Sequence, residues 1–411
     1  MMTGEIRQHY ALILRNTQLL DVENGSTVSA DVAIQDGRIA AIAPTLSFMT
    51  ADHEIALEGA IVTPGLIDLH CHGYWGATYW GTPLDPVTER SGVTTAIDAG
   101  SAGAYNFRGF REWIWGHNRV ETLAFLNISS IGLIHKTYEL ANPAYTDVDL
   151  AIRTVERNRD IIVGIKARID VNTVGSRGLE GLKRASTVAT ALNLPLMVHI
   201  GKGPPELREI LTHMRAGDIL THCHTGHSNR ITTPAGTLRD EVRAAKDRGI
   251  LLDVGHGMGS FSFQVADQLL QQDELPDTIS TDVHAENVNG PVFDLPTTLS
   301  KYMLLGMPLH QTLARCTVAA GRAIGYPSPS RIAIGDIANI AAFTIEEGSF
   351  PLTDSYGEAR IARRRLRCHL TIQRGELRYF NPISPSPDSS DLTPTALHPI
   401  DIQHQLERGP R

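Results

Sequence analysis

Cysteine is scarce, with four residues in 411. That is too few to staple a chain of this length, so a disulfide framework is excluded and reduced thiols are expected. Aromatic residues are also few, at 6%. No apolar run approaches the ~20 residues a membrane-crossing helix needs. Positive charge is not in excess either: 37 Lys and Arg stand against 45 Asp and Glu, a formal net charge of -8. Such a balance argues against a nucleic-acid-binding surface and makes a small molecule the expected partner. The opening MMTGEIRQHY has polar and charged residues where the apolar segment of a signal peptide would lie. A cytoplasmic protein, neither membrane-bound nor nucleic-acid-bound and assembled as a homo-oligomer, is the expectation.

What is present is an ordinary globular composition, 42% hydrophobic and 20% charged, in a chain long enough for one large barrel with a smaller appended layer. Residues 11–62 read as short strands broken by turn signals such as Glu23-Asn24-Gly25 and Gln35-Asp36-Gly37-Arg38. A similar pattern returns at 331–344 and at 367–380. The two ends, residues 1–62 and 328–380, are therefore expected to form one small β-sandwich. Between them short apolar runs alternate with amphipathic segments, the pattern of βα units on a parallel sheet.

Eight runs, at 61–69, 94–99, 123–128, 161–165, 195–198, 218–221, 250–254 and 278–281, close a (β/α)₈ TIM-like barrel over 63–327. Helices are expected at 149–159, 179–192, 206–214, 238–248, 261–271 and 309–324. The Pro- and Ser-rich residues 381–411 read as a flexible tail.

The chemistry sits where these runs end. In Asp68-Leu69-His70-Cys71-His72 the two histidines leave the same face of a strand and can bind one ion together. Ile161-Ile162-Val163-Gly164-Ile165-Lys166 delivers a lysine at the barrel's catalytic end. As an ammonium it would repel a metal; as a neutral amine that has captured carbon dioxide it becomes a carbamate, whose two oxygens can bridge two ions. Leu196-Met197-Val198-His199 and Ile219-Leu220-Thr221-His222 each deliver one histidine, and Ile279-Ser280-Thr281-Asp282 a carboxylate. Taken singly, each has a structural reading: a core imidazole, a solvated charge, a helix N-cap. Cys71 and Cys223 lie between histidines but point to the opposite face, which favours core packing over ligation.

In this order the motifs resemble those of the amidohydrolase superfamily, in particular its dihydroorotase-like branch, over nearly the whole chain. The resemblance implies that His70 and His72 hold one ion with Asp282, that His199 and His222 hold a second, and that carboxylated Lys166 bridges them. Zinc suits this donor set best, with manganese, cobalt and iron as alternatives. Asp282 is then the catalytic proton carrier. Thr221-His222-Cys223, Asp253-Val254-Gly255-His256-Gly257 and Ser280-Thr281-Asp282-Val283-His284 are similar to a group often labelled dihydroorotase. Dihydroorotases of this type carry an arginine shortly after the HxH pair, whereas here Gly73-Tyr74-Trp75-Gly76 follows. Members similar to this group are associated with hydrolysis of acetyl esters of small α-hydroxy acids.

The expected activity is therefore amide or ester hydrolysis of a small carboxylate-bearing substrate, an acylated hydroxy acid or N-acyl amino acid. The alternative is a cyclic amidase of the dihydroorotase or hydantoinase type. A mononuclear deaminase is a more distant alternative, since deaminases lack the lysine and place a Glu three residues after the fifth-strand histidine, where this chain has Lys202. A barrel that has lost its metal ligands and serves as a non-enzymatic scaffold is disfavoured, because all six ligands are present. Arg168, His224 and His284 each lie two positions beyond a ligand, so they face the same cavity if the strand alternation persists. Their structural readings are a solvated loop charge, an outer-shell imidazole and a packing or capping group. Gly255 and Gly257 around His256 allow backbone to approach a ligand closely, or equally form a tight turn.

Overall fold

Strand-forming runs and turn residues build two sheets in the computed structural model, which describes residues 8–383. In chain order the strands are β1 (His9–Leu20), β2 (Thr27–Gln35), β3 (Arg38–Ala43), β4 (Thr50–Ala56) and β5 (Ile61–Pro64). Then follow β6 (Leu66–Cys71), β7 (Val93–Gly103), β8 (Glu121–Asn127), β9 (Ile162–Ile169), β10 (Leu196–Ile200), β11 (Ile219–Thr221) and β12 (Leu251–Asp253). The last are β13 (Ile340–Thr353), β14 (Ala359–Gln373) and β15 (Glu376–Phe380).

Strands β6 to β12 pair side by side in chain order, all parallel. Residues 278–283 close the ring without forming a strand. Isolated bridges tie Thr278 to Asp253 on one side and Val283 to Cys71 on the other. The seam is laced by Asp282 N–H to His70 O at 2.6 Å and His72 N–H to Val283 O at 2.9 Å. The result is a TIM-like barrel whose lumen is filled by Ile67, Leu69, Ile97, Phe125, Met197 and Ile219.

The two chain ends meet in one eight-stranded mixed sheet, ordered β15-β14-β13-β5-β1-β2-β3 with β4 on β1. The run expected as a single strand at 61–69 is two strands in two sheets: β5 pairs with β1 and β13, while β6 enters the barrel. Gly65 is the joint. A Cβ there would lie 2.2 Å from Thr94 Oγ1, so only glycine lets the chain pass so close to β7.

The helix expected at 309–324 is broken by Arg315, Cys316 and Thr317 into Leu309–Ala314 and Val318–Ile324. A further helix, Leu295–Leu304, was not expected although its start is marked: Asp294 accepts from Thr297 N–H at 2.8 Å and Pro296 sits in the first turn. Of the expected tail at 381–411, residues 384–411 lie outside the described residues. No helix among the described residues is long and apolar enough to cross a membrane.

Candidate metal centre

The strand ends converge on a cavity of about 220 Å³, lined among others by His70, His72, Lys166, His199, His222 and Asp282. His70 lies on β6 and His72 one residue past its end, and His199 comes from β10. His222 lies just past β11 and Asp282 within the closing segment 278–283, with φ of +70° and +50°, a left-handed backbone that non-glycine residues seldom adopt and that persists where the surroundings enforce it. The loop Gly255-His256-Gly257 supplies part of that enforcement. A Cβ on Gly255 would lie 2.3 Å from Thr221 Oγ1, and one on Gly257 2.4 Å from Asp282 Oδ2. Both glycines therefore let backbone press directly against the site, and both also hold a positive φ.

The hydrogen bonds around the imidazoles determine which nitrogen faces inward. Thr221 Oγ1 donates to Asp253 Oδ2 at 2.7 Å, so it accepts from His70 Nδ1–H at 2.9 Å. Ser101 N–H donates to Asp98 Oδ1 at 2.7 Å, and its Oγ lies 2.8 Å from His72 Nδ1. His222 Nδ1 donates to Gly255 O at 2.6 Å. In the His70 and His222 rings the proton is thereby fixed on Nδ1 and the Nε2 lone pair is left for the cavity, the arrangement that outer partners impose on metal-binding histidines. The His70 and His72 Nε2 atoms lie 3.4 and 3.1 Å from Asp282 Oδ1. His70, His72 and Asp282 can place ligand atoms within 4.8 Å of one another. His222 Nε2 is buried with no hydrogen-bond partner among the described residues.

Electrostatics favour the same reading. Burial drives the pKa of His70 and His222 well below the ordinary value, keeping them neutral. Burial alone would raise the Asp282 carboxyl, but His70 and His72 outweigh it and hold the group well below the usual carboxylate range. Lys166 is fully buried and has no carboxylate within ion-pair distance among the described residues; its Nζ lies 3.2 Å from His70 Nε2 and 3.2 Å from Met197 Sδ. Burial lowers its pKa to about 7. Gly100 leaves room for its stem, since a Cβ there would meet Lys166 Cβ at 2.6 Å. A buried orphan imidazole nitrogen, three converging donors and a near-neutral amine fit divalent cations and a carbamate.

The remaining expected residues separate. His199 Nε2 is engaged by Asp170 at 3.1 Å, leaving Nδ1 as its free nitrogen. Burial opposes ionisation of Asp170, but the His199 contact prevails and its carboxyl is held at about 2. Arg168 lines the cavity because β9 continues past Lys166 to Ile169. It is not a solvated charge: Nε lies 2.9 Å from buried Glu139 and Nη2 donates to Lys136 O at 3.0 Å. His284 also lines the cavity, edge-on to Trp80. Burial lowers its pKa to about 4, and its Nδ1 accepts from Glu286 N–H at 3.2 Å, so Nε2–H is the donor it can offer a ligand.

His224 must be corrected. It does not face the cavity; it is buried with Nδ1 2.6 Å from Tyr302 Oη. The alternation that placed it there ends at His222, whose positive φ turns the following residues away. Cys71 and Cys223 are buried free thiols whose pKa burial pushes well up, consistent with packing and not with thiolate ligands.

Several participants were not foreseen: Asp98, Asp253, Ser101 and Thr221, which orient imidazoles, and Trp80, Lys136 and Asp170 on the cavity wall. One signal was available. An aspartate inside an apolar strand, as in Thr95-Ala96-Ile97-Asp98 and Leu251-Leu252-Asp253, is a buried charge that requires partners.

No family model matches the chain. A deacetylase of Agrobacterium fabrum is 34% identical to it over 357 residues, 86% of this chain and 88% of that protein. A solved structure described as an adenine deaminase aligns with a TM-score of 0.84 at 34% identity, over 90% of this chain and 100% of the other. Another, described as a dihydroorotase, aligns at 0.83 and 32% identity, over 92% of this chain and 99% of the other. Three different activities are thus attached to one shared scaffold.

Proposed function

This chain belongs to the amidohydrolase superfamily, hydrolases acting on C–N or ester bonds, and from that premise we propose that it is a binuclear deacetylase of small acylated acids. The observation that carries the reading is the pair of imidazoles, His70 and His222, locked with Nε2 inward beside Asp282, together with His72 and the buried amine of Lys166. The deacetylase of Agrobacterium fabrum supports the acyl-hydrolase class, and the structure described as a dihydroorotase keeps cyclic amides as a second reading. In the same reading residues 63–327 are the catalytic barrel and the sheet from the two chain ends is the small β-sandwich beside it.

His70, His72 and Asp282 would hold one divalent ion, and His199 and His222 another, with carboxylated Lys166 between them; zinc suits the donors. When bound, these cations supply Lewis acidity that polarises a carbonyl and lowers the pKa of water towards neutrality. Asp282, ionised at neutral pH, takes the proton of the attacking water and returns it to the leaving alcohol or amine. Arg168 offers a guanidinium fork to the substrate carboxylate and His284 a neutral N–H donor. A volume of about 220 Å³ equals the liquid share of about seven waters, room for a small acid.

Metal analysis tests the premise: fully active protein should carry close to two divalent ions per chain, and full activity saturating at one would overturn the binuclear site. Reloading of metal-stripped protein should depend on pH through Lys166. With its pKa lowered to about 7, the amine is mostly protonated and unreactive at pH 6 and mostly neutral at pH 8. At fixed carbon dioxide pressure, the initial rate of reactivation should be roughly tenfold higher at pH 8; a rate independent of pH over this range would refute carbamate formation at Lys166.

Arg168→Met should lower kcat/KM for the acid about a hundredfold, or about 2.7 kcal/mol, and far less for its methyl ester. Equal losses on both would make Arg168 a structural partner of Glu139. Efficient dihydroorotate hydrolysis would instead favour the cyclic-amidase reading.

A further inference from the structure

A second cavity, of about 560 Å³, lies between the helix Leu295–Leu304 and strands β13 and β14, and shares no lining residue with the metal centre. Four basic side chains line it, Arg90, Lys301, Arg365 and Arg367, with Asp294 as the one carboxylate among the described lining residues. That carboxylate is committed to the helix start, accepting from Thr297 N–H and Oγ1 at 2.8 and 2.6 Å. Arg365 and Arg367 share Glu346 at 2.6 and 2.5 Å, one acid for two guanidinium groups. Arg90 forms no ion pair among the described residues, and its Nε is buried without a hydrogen-bond partner. Lys301, fully buried, directs Nζ to two neutral acceptors, His256 Nε2 at 2.7 Å and Pro291 O at 2.8 Å.

Counting Glu346, three guanidinium groups face two carboxylates, and Lys301, whose pKa burial lowers to about 7, adds a partial positive charge, in a concavity whose other walls include Phe293, Leu352 and Tyr379. Uncompensated cations beside apolar surface attract an anion more strongly than they would in open water. The apolar walls in turn give no advantage to a small, fully hydrated ion such as inorganic phosphate, and favour an anion that carries its own apolar body.

We propose that this cavity is a second ligand site, which takes a small aromatic or branched carboxylate. Arg90 and Lys301 answer the anionic end, and Phe293, Leu352 and Tyr379 contact the apolar body. The location has consequences for the catalytic end, because Lys301 holds His256, and the glycines on either side of His256 press on Thr221 and Asp282.

Two measurements on the metal-loaded full chain test it. Crystals soaked in 4-iodobenzoate should show an anomalous iodine peak in this cavity. In solution, fluorine NMR titration of 4-fluorobenzoate should resolve a bound population that Arg90→Ala weakens at least fivefold, with hydrolytic activity within twofold of the parent. Arg90→Gln, which keeps most of the side-chain length, should do the same and guards against loss of folding in the alanine variant. Neutral 4-fluorobenzamide should bind at least fivefold more weakly than the acid. The proposal is overturned by iodine only at the metal centre, by unchanged affinity in both variants, or by equal binding of acid and amide. A peak in the crystal without Arg90-dependent binding in solution marks an adventitious additive only and overturns it equally.

Discussion

Lys166→Ala is expected to reduce kcat/KM by about a thousandfold or more, roughly 4 kcal/mol of transition-state stabilisation, and to empty the site of most of its metal. The reasoning begins with burial: an amine surrounded by His70, Met197 and barrel strands, with no carboxylate in ion-pair range among the described residues, is costly to keep as a bare ammonium. Under the proposed function, its conversion to an anionic carbamate would turn that liability into a pair of oxygen ligands. Alanine removes the oxygens and leaves the imidazoles as neutral donors alone. Short carboxylic acids such as acetate or propionate, small enough for the vacated space, should restore part of both activity and metal content. Circular dichroism and thermal melting separate this from misfolding, since a variant that folds, binds no metal and responds to acetate has lost a ligand and not its barrel. Full activity in Lys166→Ala would end the carbamate proposal.

Asp282→Asn should separate binding from chemistry. The amide still presents an oxygen near His72 Nε2, where the carboxylate now lies at 3.1 Å, so considerable metal should remain bound. What is lost is a base. The carboxylate, held well below its ordinary pKa chiefly by His70 and His72 against the effect of burial, is ionised throughout the neutral range and available to take a proton. General acid and base transfer contributes 10²- to 10⁴-fold in typical enzymes, and a fall of about that size in kcat is expected with KM little changed. Because the carboxylate is already ionised across the neutral range, the fall in kcat should be the same at every pH within it. If the variant retains the parent rate, the proton passes through another group.

Much of this site was legible because apolar strands that end in a single polar residue carry their own coordinates. His70, His72, Lys166, His199, His222 and Asp282 line one cavity, and each stands at or just past the end of a run that periodicity alone marks out. Rules of alternation worked while the strand lasted. They placed Arg168 in the cavity because β9 continues beyond Lys166, and misplaced His224 because the chain turns at His222.

Pairings between elements remote in sequence were not legible. Nothing local in Asp253 announces that three hydroxyls, of Thr221, Thr278 and Ser280, will converge on it. Nor does the run 61–69 reveal that its halves belong to different sheets, since the pleat has the same period in both. The helix Leu295–Leu304 is a different kind of omission, for its Asp cap and first-turn proline were in view.

The joint at Gly65 bears on how the molecule comes apart. Its N–H donates to Asn339 O at 2.9 Å, next to β13, and the adjoining Leu66 N–H donates to Gly92 O at 2.8 Å on the barrel side. Two sheets are thus spliced with no slack, and the strand that carries the histidine pair is a direct continuation of one moored between the two chain ends. Such a splice makes unfolding a shared event: fraying of β13 frees the anchor of β6, and with it the first turn of the barrel. A minimal barrel cut free of its terminal strands would lose that tether at the strand leading into the histidine pair.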